Sequence, residues 1–206
     1  MSARRLSRFP QVLAAVLFAW MLALAGCSAK PDFRNLDITG NEQFGRDFAL
    51  PDTDGHMRTL ADYKGRAVVL FFGYTHCPDV CPTTMAQLAQ AMQQLGDDAR
   101  RVQVLFVTVD PERDTAPVLA EYVHAFNPAF VGLRPDSAAQ LDAVTQAFKI
   151  YHAKNTAGAS DASAYTVDHT AGSVVFDPQG KLRLYAKDGQ GADVWVHDLK
   201  LLIDGK

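Results

Sequence analysis

Residues 67–82 read AVVLFFGYTHCPDVCP, an apolar run that ends in two closely spaced cysteines. Residues 67–74 form a continuous apolar segment of strand length, which is typical of a strand buried on both faces of its sheet. Pro82 suits the first turn of a helix, where its missing N–H would have no partner anyway. The stretch therefore predicts a buried strand, a short turn and a helix from Pro82 onward, with Cys77 and Cys81 at the entrance of that helix.

The sequence around this stretch predicts one α/β domain. Apolar spacing, turn residues and capping residues mark the other elements. They are a hairpin at residues 48–60, a helix end at residue 95, a buried strand at 102–109, helices capped by Thr115 and by Ser137 with Gln140, a second hairpin at 173–185 and a last helix with Trp195, Leu199 and Leu202. This order is typical of a mixed sheet with helices on both faces, to which the first hairpin is an N-terminal extension.

The first 26 residues have the pattern of a signal peptide. Three arginines precede an apolar run at residues 12–25, which is too short for a comfortable membrane span. The sequence LAGC follows at residues 24–27 and resembles the lipobox of bacterial lipoproteins, in which the cysteine becomes the lipidated first residue. An uncleaved N-terminal anchor is the alternative interpretation.

Lipidation at Cys27 would divide the chain into three parts. Residues 1–26 are the signal peptide, residues 27–43 carry the lipid and a polar tether, and residues 44–206 form the folded domain. The domain would then lie in the bacterial cell envelope and face the periplasm, where disulfides persist. Lipidation would also leave two free thiols, both in the stretch at residues 67–82.

The charge balance argues against a protein that binds nucleic acid. The 20 basic and 23 acidic residues give a net charge of −3, and loss of the three arginines of the signal peptide leaves 17 against 23, a net −6. An acidic domain held at a membrane favours protein partners over lipid headgroups.

The spacing of the two cysteines favours a metal site or a redox site. Cβ atoms four residues apart in a helical turn are separated by roughly 5–6 Å, whereas a disulfide requires about 3.8 Å. Two sulfurs that bind one metal ion can be up to about 4.6 Å apart, so a metal requires less distortion of Cys77 and Cys81. The helix N-terminus should also lower the pKa of at least one thiol. Two structural cysteines or a plain structural disulfide are the alternatives.

Six histidines are candidates for a third ligand. His169 precedes the second hairpin, and in this order of elements its loop should approach the end of the strand that leads to Cys77. Asp168 could orient the His169 ring or supply negative charge close to the ligands. The small polar residues 154–164 predict a flexible surface loop that would let this histidine move. His152 follows a helix and could cap it, and His76 should point elsewhere because it adjoins Cys77. A solvated or capping role is expected for His56, His124 and His197.

Two thiolates and one imidazole favour copper over structural zinc. Structural zinc prefers four protein ligands, and the sequence indicates no fourth. Soft thiolates favour Cu(I), and a mixed set of sulfur and imidazole ligands can also hold Cu(II).

Three motifs in this order resemble the Sco/SenC family: GYTHCPDVCP at residues 73–82, VDPERDT at 109–115 and VDHT at 167–170. The resemblance extends from about residue 48 to the C-terminus. It implies a membrane-anchored protein with a thioredoxin-like fold, which binds one copper ion through Cys77, Cys81 and His169.

Members of this family assist assembly of the dinuclear copper centre in cytochrome c oxidase subunit II, as copper donors, as thiol reductants or as both. The resemblance implies a copper metallochaperone whose partners are that apo-subunit or a similar copper acceptor, an upstream copper donor and a thiol reductase. Residues 110–115 show no metal-ligand pattern of their own. We expect Arg113 to pair with nearby carboxylates, and Asp114 or Thr115 to cap the next helix.

Two enzyme hypotheses compete with the metallochaperone. In a thiol–disulfide oxidoreductase, Cys77 would attack a target disulfide, Cys81 would resolve it and His169 would tune the pKa of the thiolate. The chain departs from thioredoxin itself, because three residues separate its cysteines instead of two and no proline follows His169 where thioredoxins carry a cis-proline. The third hypothesis is a peroxidase of the peroxiredoxin or glutathione-peroxidase type. Two cysteines so close together do not fit it well, because its chemistry needs a single cysteine of low pKa.

Overall fold

The computed structural model describes residues 31–157 and 164–206. The predicted signal peptide and Cys27 lie outside these residues, and so do residues 158–163 of the predicted surface loop. No helix in the described parts is both long enough and apolar enough to cross a membrane.

The described residues contain ten strands and four α-helices. The strands are β1 (Leu36–Asp37), β2 (Ala49–Pro51), β3 (Met57–Thr59), β4 (Ala67–Gly73), β5 (Val102–Thr108), β6 (Val131–Leu133), β7 (His152–Asn155), β8 (Thr166–His169), β9 (Gly172–Phe176) and β10 (Leu182–Lys187). The helices are α1 (Val80–Leu95), α2 (Ala116–Phe126), α3 (Ala138–Ala147) and α4 (Ala192–Ile203). Short 3-10 helices precede β4 and β5, at Leu60–Tyr63 and Gly96–Arg101.

The central sheet is mixed, as the sequence predicts. Its strand order is β1-β10-β9-β4-β5-β6, in which β4, β5 and β6 are parallel and each of the other neighbouring pairs is antiparallel. Every residue of β4 and β5 is buried, as expected for apolar strands in the middle of a covered sheet. Gly73 and Thr108 are register partners at the ends of these strands, so the segments that follow β4 and β5 begin side by side.

Helices cover both faces of this sheet, which confirms the predicted architecture. Phe71 of β4 and Phe106 of β5 pack edge to face with ring centroids 5.7 Å apart, and Phe106 also contacts Tyr122 of α2 at 5.5 Å. The next side chain, Phe72, points to the opposite face because side chains alternate along a strand. On that face it packs against Phe148, which directly follows α3.

Both predicted hairpins are present. β2 pairs with β3 around the Asp-Gly turn, and β9 pairs with β10 around residues 178–180. In the first turn, the Asp52 carboxylate accepts hydrogen bonds from the backbone N–H groups of Asp54 and His56, both at 2.9 Å, and from Arg58 Nε at 2.7 Å. These bonds satisfy the carboxylate and stabilise the turn.

The helix starts differ in detail from the prediction. α1 begins two residues before Pro82, so that Cys81 lies inside the first turn. A proline is tolerated there because the first four N–H groups of a helix have no partner within it. Thr115 occupies the N-cap position of α2, but its side chain makes no capping hydrogen bond. At α3, the Ser137 hydroxyl accepts from the Gln140 N–H at 3.2 Å, as predicted.

A two-stranded arm carries His169, where the sequence predicts a loop. β7 and β8 pair antiparallel, with His152 opposite His169 and Lys154 opposite Val167, and they form their own sheet. The prediction of a surface loop at residues 154–164 is therefore wrong at its start, where Lys154 belongs to β7. The reason is that each strand is short and mostly polar, so neither shows the apolar alternation by which a strand is recognised.

The packed part of the chain begins before the predicted boundary at residue 44. β1 is an edge strand of the central sheet and pairs with β10. The buried Asp198 carboxylate of α4 accepts hydrogen bonds from the backbone N–H of Arg34, at 2.9 Å, and from the backbone and side chain of Asn35, both at 2.8 Å. Residues 34–37 therefore pack against the domain, within the segment predicted as tether. Most of these contacts use backbone groups, which a polar, aperiodic sequence does not reveal.

Candidate metal centre

Cys77 and Cys81 lie between the end of β4 and the first turn of α1. The chain turns there, and the Cys77 N–H donates to the Tyr74 carbonyl at 3.2 Å. Cys81 is fully buried, and Cys77 is 8% exposed. Cys77 lines a groove of about 360 Å³ together with Tyr74, Val80 and His169. Cys77 is therefore the cysteine that a molecule in the groove can reach.

Gly73 provides the space for the Cys81 sulfur. A Cβ atom at position 73 would lie 2.8 Å from Cys81 Sγ and 3.0 Å from Phe106 Cζ. Both distances are well below the roughly 3.5–4.0 Å of normal non-bonded contact. A side chain on the last residue of β4 would therefore displace the sulfur.

The third member of the group is His169, the last residue of β8. Its Nε2 lies 3.4 Å from Cys81 Sγ, and the ligand atoms of Cys77, Cys81 and His169 all lie within 4.8 Å of one another. His169 Nδ1 lies 3.1 Å from the Thr170 carbonyl oxygen. Because a carbonyl oxygen only accepts, Nδ1 is the donor in this contact, and Nε2 is the ring nitrogen that faces Cys81. The structure thus brings together the three residues that the sequence singles out.

The two cysteines are free thiols of opposite acidity. A hydrogen bond from the Cys81 side chain lowers the pKa of Cys77 to about 5, against the effect of burial and with further help from the backbone N–H groups of Asp79 and Cys81 and from His169. The same hydrogen bond, together with burial, raises the pKa of Cys81 far above its ordinary value. Near neutral pH the pair therefore carries one negative charge, on Cys77. A metal bound by both sulfurs would displace the proton of Cys81.

We expect Cys77 to react as a thiolate well below neutral pH. The rate of its alkylation by iodoacetamide in the metal-free protein should fall to half of its plateau only near pH 5, because the thiolate is the reactive form and its pKa is about 5. Cys81 should stay unmodified, because it is buried and protonated. The masses of the modified peptides, followed from about pH 4 to pH 9, report each cysteine separately. A midpoint near the value of about 8.5 for an ordinary thiol would contradict this assignment.

Asp168 does not orient the His169 ring as the sequence suggests. Its exposed carboxylate accepts a hydrogen bond from Asn155 Nδ2 at 3.1 Å, across the two strands of the arm. The Thr170 carbonyl contacts the ring nitrogen instead. The physical reason is that consecutive residues of a strand point to opposite faces, so a neighbour in sequence is a poor partner for a strand side chain.

The other five histidines lie outside this group of ligand atoms. His152 is part of β7, which corrects the prediction that it caps a helix, and its Nε2 lies 3.8 Å from the Asp142 carboxylate. His76 is exposed, and its Nδ1 lies 3.0 Å from the Thr75 hydroxyl. His197 Nδ1 lies 2.8 Å from the Asp198 carboxylate. The remaining two are His56, in the first hairpin, and His124, on α2.

Asp52, Asp54 and His56 form a second group whose ligand atoms lie within 4.8 Å of one another. The Asp52 carboxylate is already engaged by Arg58 and by two backbone N–H groups of its own turn. Asp54 and His56 are exposed. We therefore assign no metal to this group.

The segment after β5 holds the cysteine turn in place. The Asp114 carboxylate is fully buried and accepts hydrogen bonds from the Thr75 hydroxyl at 2.6 Å, from the Thr75 N–H at 3.1 Å and from the Thr108 hydroxyl. Burial raises the pKa of Asp114, although these hydrogen bonds act in the opposite direction. Since Thr75 precedes Cys77 by two residues, Asp114 connects the turn that carries Cys77 to the end of β5.

This role of Asp114 is absent from the sequence prediction, which places Asp114 or Thr115 as a helix cap. Arg113 does pair with a carboxylate, that of Asp110, as predicted. The contact of Asp114 with the cysteine turn could have been inferred from the strand order. Polar residues that follow two adjacent parallel strands meet at the same end of a sheet.

The donor atoms of the group suit a soft metal ion. Two sulfurs and one imidazole nitrogen, supplied by α1, its preceding turn and β8, match thiophilic ions. Among the described residues no further Cys, His, Asp or Glu joins the group, whereas structural zinc prefers four protein ligands. Cys77, Cys81 and His169 are therefore the residues that could hold a metal.

Comparisons of this chain with family models, with curated proteins and with solved structures all give matches to Sco proteins. The sequence model of the SCO1/SenC family matches residues 37–204. The mitochondrial SCO2 homolog of Bos taurus is 39% identical over 150 residues, which amount to 71% of this chain and 55% of the bovine protein. The chain thus spans little more than half the length of that relative.

Solved structures of other proteins match most of this chain, among them the following two. The copper-bound structure of Bradyrhizobium japonicum ScoI has a TM-score of 0.68 and 34% identity, and the match covers 77% of this chain and 99% of that one. The solution structure of apo Sco1 from Thermus thermophilus has a TM-score of 0.70 and 36% identity, with coverage of 82% and 98%. These matches confirm the predicted thioredoxin-like fold.

Proposed function

The chain belongs to the SCO1/SenC family, and from this premise we propose that it is a copper metallochaperone. In this proposal, one copper ion is bound as Cu(I) or Cu(II) by Sγ of Cys77, Sγ of Cys81 and Nε2 of His169. The observation that carries the proposal is the convergence of these three atoms within 4.8 Å. The copper in the structure of Bradyrhizobium japonicum ScoI supports the choice of metal.

Delivery of the copper would proceed by ligand exchange with an apo-protein. We infer that the recipient is cytochrome c oxidase subunit II, whose dinuclear copper centre is the target that the family resemblance implies. Cys77 lines the groove beside the group, so an incoming thiol would reach the copper from this side while the buried Cys81 still holds it. Because exchange requires both cysteines to be reduced, an upstream copper donor and a thiol reductase are further partners in the proposal.

We place the protein in the bacterial cell envelope, with its domain facing the periplasm. The support is the sequence of residues 1–27, where arginines and an apolar run lead into LAGC. Lipid on Cys27 would hold the domain at the membrane without a spanning helix.

Copper loading of the reduced, metal-free full-length protein tests this function. We expect about one copper ion per chain after removal of unbound metal, and a loss of more than about 100-fold in Cu(II) affinity for His169→Ala, because removing a ligand costs more than removing an outer-shell partner. His124→Ala changes an exposed histidine of α2 and is the matched control, which should retain copper like the wild type. A wild type that retains no copper would contradict the proposal.

The low pKa of Cys77 favours a second candidate function, a thiol–disulfide oxidoreductase that keeps the cysteines of the copper acceptor reduced. The Cys77 thiolate would attack a target disulfide and release one target thiolate. Cys81 would then attack the mixed disulfide, which releases the second target thiol and leaves Cys77 and Cys81 joined. His169→Ala separates the two functions, since it should abolish tight copper binding but only modestly slow disulfide exchange.

A further inference from the structure

The arm that carries His169 is not paired with the central sheet. Within the described residues, β7 and β8 form a separate two-stranded sheet. The hydrogen bond from the Thr170 N–H to the Tyr151 carbonyl, at 3.0 Å, lies within the arm and its flanks. The His169 imidazole is therefore positioned by the short link from β8 to β9 of the central sheet and by contacts between the arm and the rest of the domain.

Arg113 connects the segment after β5 to the residue that precedes the second strand of the arm. Its guanidinium pairs with Asp110, and its Nη1 donates to the Tyr165 carbonyl at 2.8 Å. Its Cζ lies 3.6 Å from the centre of the Tyr165 ring, and the Tyr165 hydroxyl donates to Asp110 Oδ1 at 2.7 Å. The three residues thus form a closed set of contacts immediately before β8.

The same guanidinium reaches the aromatic ring beside the imidazole. Arg113 Cζ lies 5.8 Å from the centre of the Tyr74 ring. The rings of Tyr74 and His169 meet edge to face, with centroids 5.8 Å apart and an interplanar angle of 87°. Arg113 therefore acts on β8 from two sides, at Tyr165 before the strand and at Tyr74 beside its last residue.

The first strand of the arm is held by the same segment. Lys154 of β7 pairs with Glu112 at 2.6 Å, and its Nζ lies 4.9 Å from the centre of the Tyr165 ring. Both strands of the arm are thus attached to the short segment that contains Asp110 and Arg113.

We propose that Arg113 is a positioning residue for the metal centre, which holds the arm so that the His169 imidazole faces Cys81 before a metal arrives. This inference rests on the proposed copper site and adds a group that acts through His169 without touching the metal. Soft thiolates select Cu(I), whereas imidazole is also a good ligand for Cu(II). A displaced imidazole should therefore weaken Cu(II) binding more than Cu(I) binding.

The test compares full-length, metal-free wild type with Arg113→Gln, Arg113→Lys and Arg183→Gln. Arg183 is the matched control, because it also pairs with an aspartate, Asp177, and also lies over an aromatic ring, that of Phe33. The Arg113 and Arg183 side chains are 16% and 15% exposed. The measurements are the Cu(II) and Cu(I) affinities, the absorption of the Cu(II)–thiolate complex, and hydrogen exchange of the backbone amides without metal.

We expect Arg113→Gln to weaken Cu(II) binding by about 10–100-fold, the usual cost of losing an outer-shell partner, and to weaken Cu(I) binding less. The Cu(II)–thiolate absorption should shift, and the amides of β7 and β8 should exchange faster while those of β4 and β5 stay protected. Arg113→Lys keeps the charge beside Asp110 but lacks the planar fork, so it should show most of the same loss. Arg113→Lys can be measured in place of Arg113→Gln if the glutamine variant does not fold. Arg183→Gln should behave like the wild type.

The outcomes separate this inference from the proposed function. If the wild type retains no copper, the proposed function is wrong. Hydrogen exchange would still show whether Arg113 holds the arm in place. Wild-type copper affinity and wild-type arm protection in the Arg113 variants would overturn the inference alone. Full rescue by lysine would also overturn it, because the planar fork of the guanidinium would then have no role.

Discussion

Replacing Cys81 with alanine is expected to abolish copper retention. Cys81 is fully buried, and its sulfur lies 3.4 Å from His169 Nε2. Among the described residues no thiol besides Cys77 and no carboxylate belongs to this group, so none can replace the Cys81 sulfur. We therefore expect Cu(I) affinity to fall by more than about 100-fold, beyond the cost of losing an outer-shell partner. Competition with a chelator of known Cu(I) affinity, with copper quantified per chain, measures the effect.

Thr84→Ala is the matched control for this variant. Thr84 lies one turn further along α1 and is 2% exposed, so its truncation changes a similarly buried side chain on the same helix. This control should bind copper like the wild type, and the thermal unfolding of both variants shows whether the domain remains folded. Wild-type affinity in Cys81→Ala would mean that Cys77 and His169 bind copper without it, which contradicts the three-ligand centre.

The second large effect is expected for Asp114→Ala. This substitution removes the acceptor of three hydrogen bonds, two from the hydroxyl and N–H of the partly buried Thr75 and one from the buried hydroxyl of Thr108. A lost buried hydrogen-bond partner typically costs about 1–3 kcal/mol, so we expect the free energy of unfolding to fall by about 2–4 kcal/mol. For a domain of this size the melting temperature should fall by about 5–15 °C. Calorimetry of the metal-free protein measures both quantities.

Asp114→Asn separates the hydrogen bonds from the volume of the side chain. Its amide oxygen still accepts a hydrogen bond, and an amide is neutral, so it avoids the burial of charge that raises the pKa of Asp114. We therefore expect less than half of the destabilisation of the alanine variant. Copper affinity should follow the same order, because Thr75 leads directly into the turn that carries Cys77. An alanine variant as stable as the wild type would show that Asp114 does not hold this turn.

Much of the fold could be predicted, because the apolar residues of many elements indicate in the sequence that these elements are buried. β4 is apolar throughout and β5 is mostly apolar, which identified both as buried strands, and the two hairpins carry turn residues in their sequence. β6 escaped prediction because three residues are too few for a periodic pattern. The arm of β7 and β8 escaped it because its strands are polar, and β1 because it pairs through its backbone.

The ligand residues of the candidate centre could be predicted from the sequence, whereas the residues that hold those ligands in place could not. Cys77, Cys81 and His169 stood out by residue type and by motif. Asp168 was singled out as the neighbour of His169, but the alternation of side chains directs it to Asn155. Asp114 and Arg113 were assigned structural roles, whereas their contacts with Thr75 and Tyr165 connect them to the two halves of the centre.

The sequence by itself determined that two sulfurs stand at the entrance of one helix, because a separation of four residues at the end of a buried strand is a local property of the chain. Only the tertiary structure decided that Nε2 of His169, which is 88 residues away from Cys81, lies 3.4 Å from its sulfur. It also decided which thiol ionises, since burial and a hydrogen bond place the charge on Cys77 and the proton on Cys81. Distances across a fold and the acidity of buried groups both depend on neighbours that the packing supplies, and no local spacing specifies them.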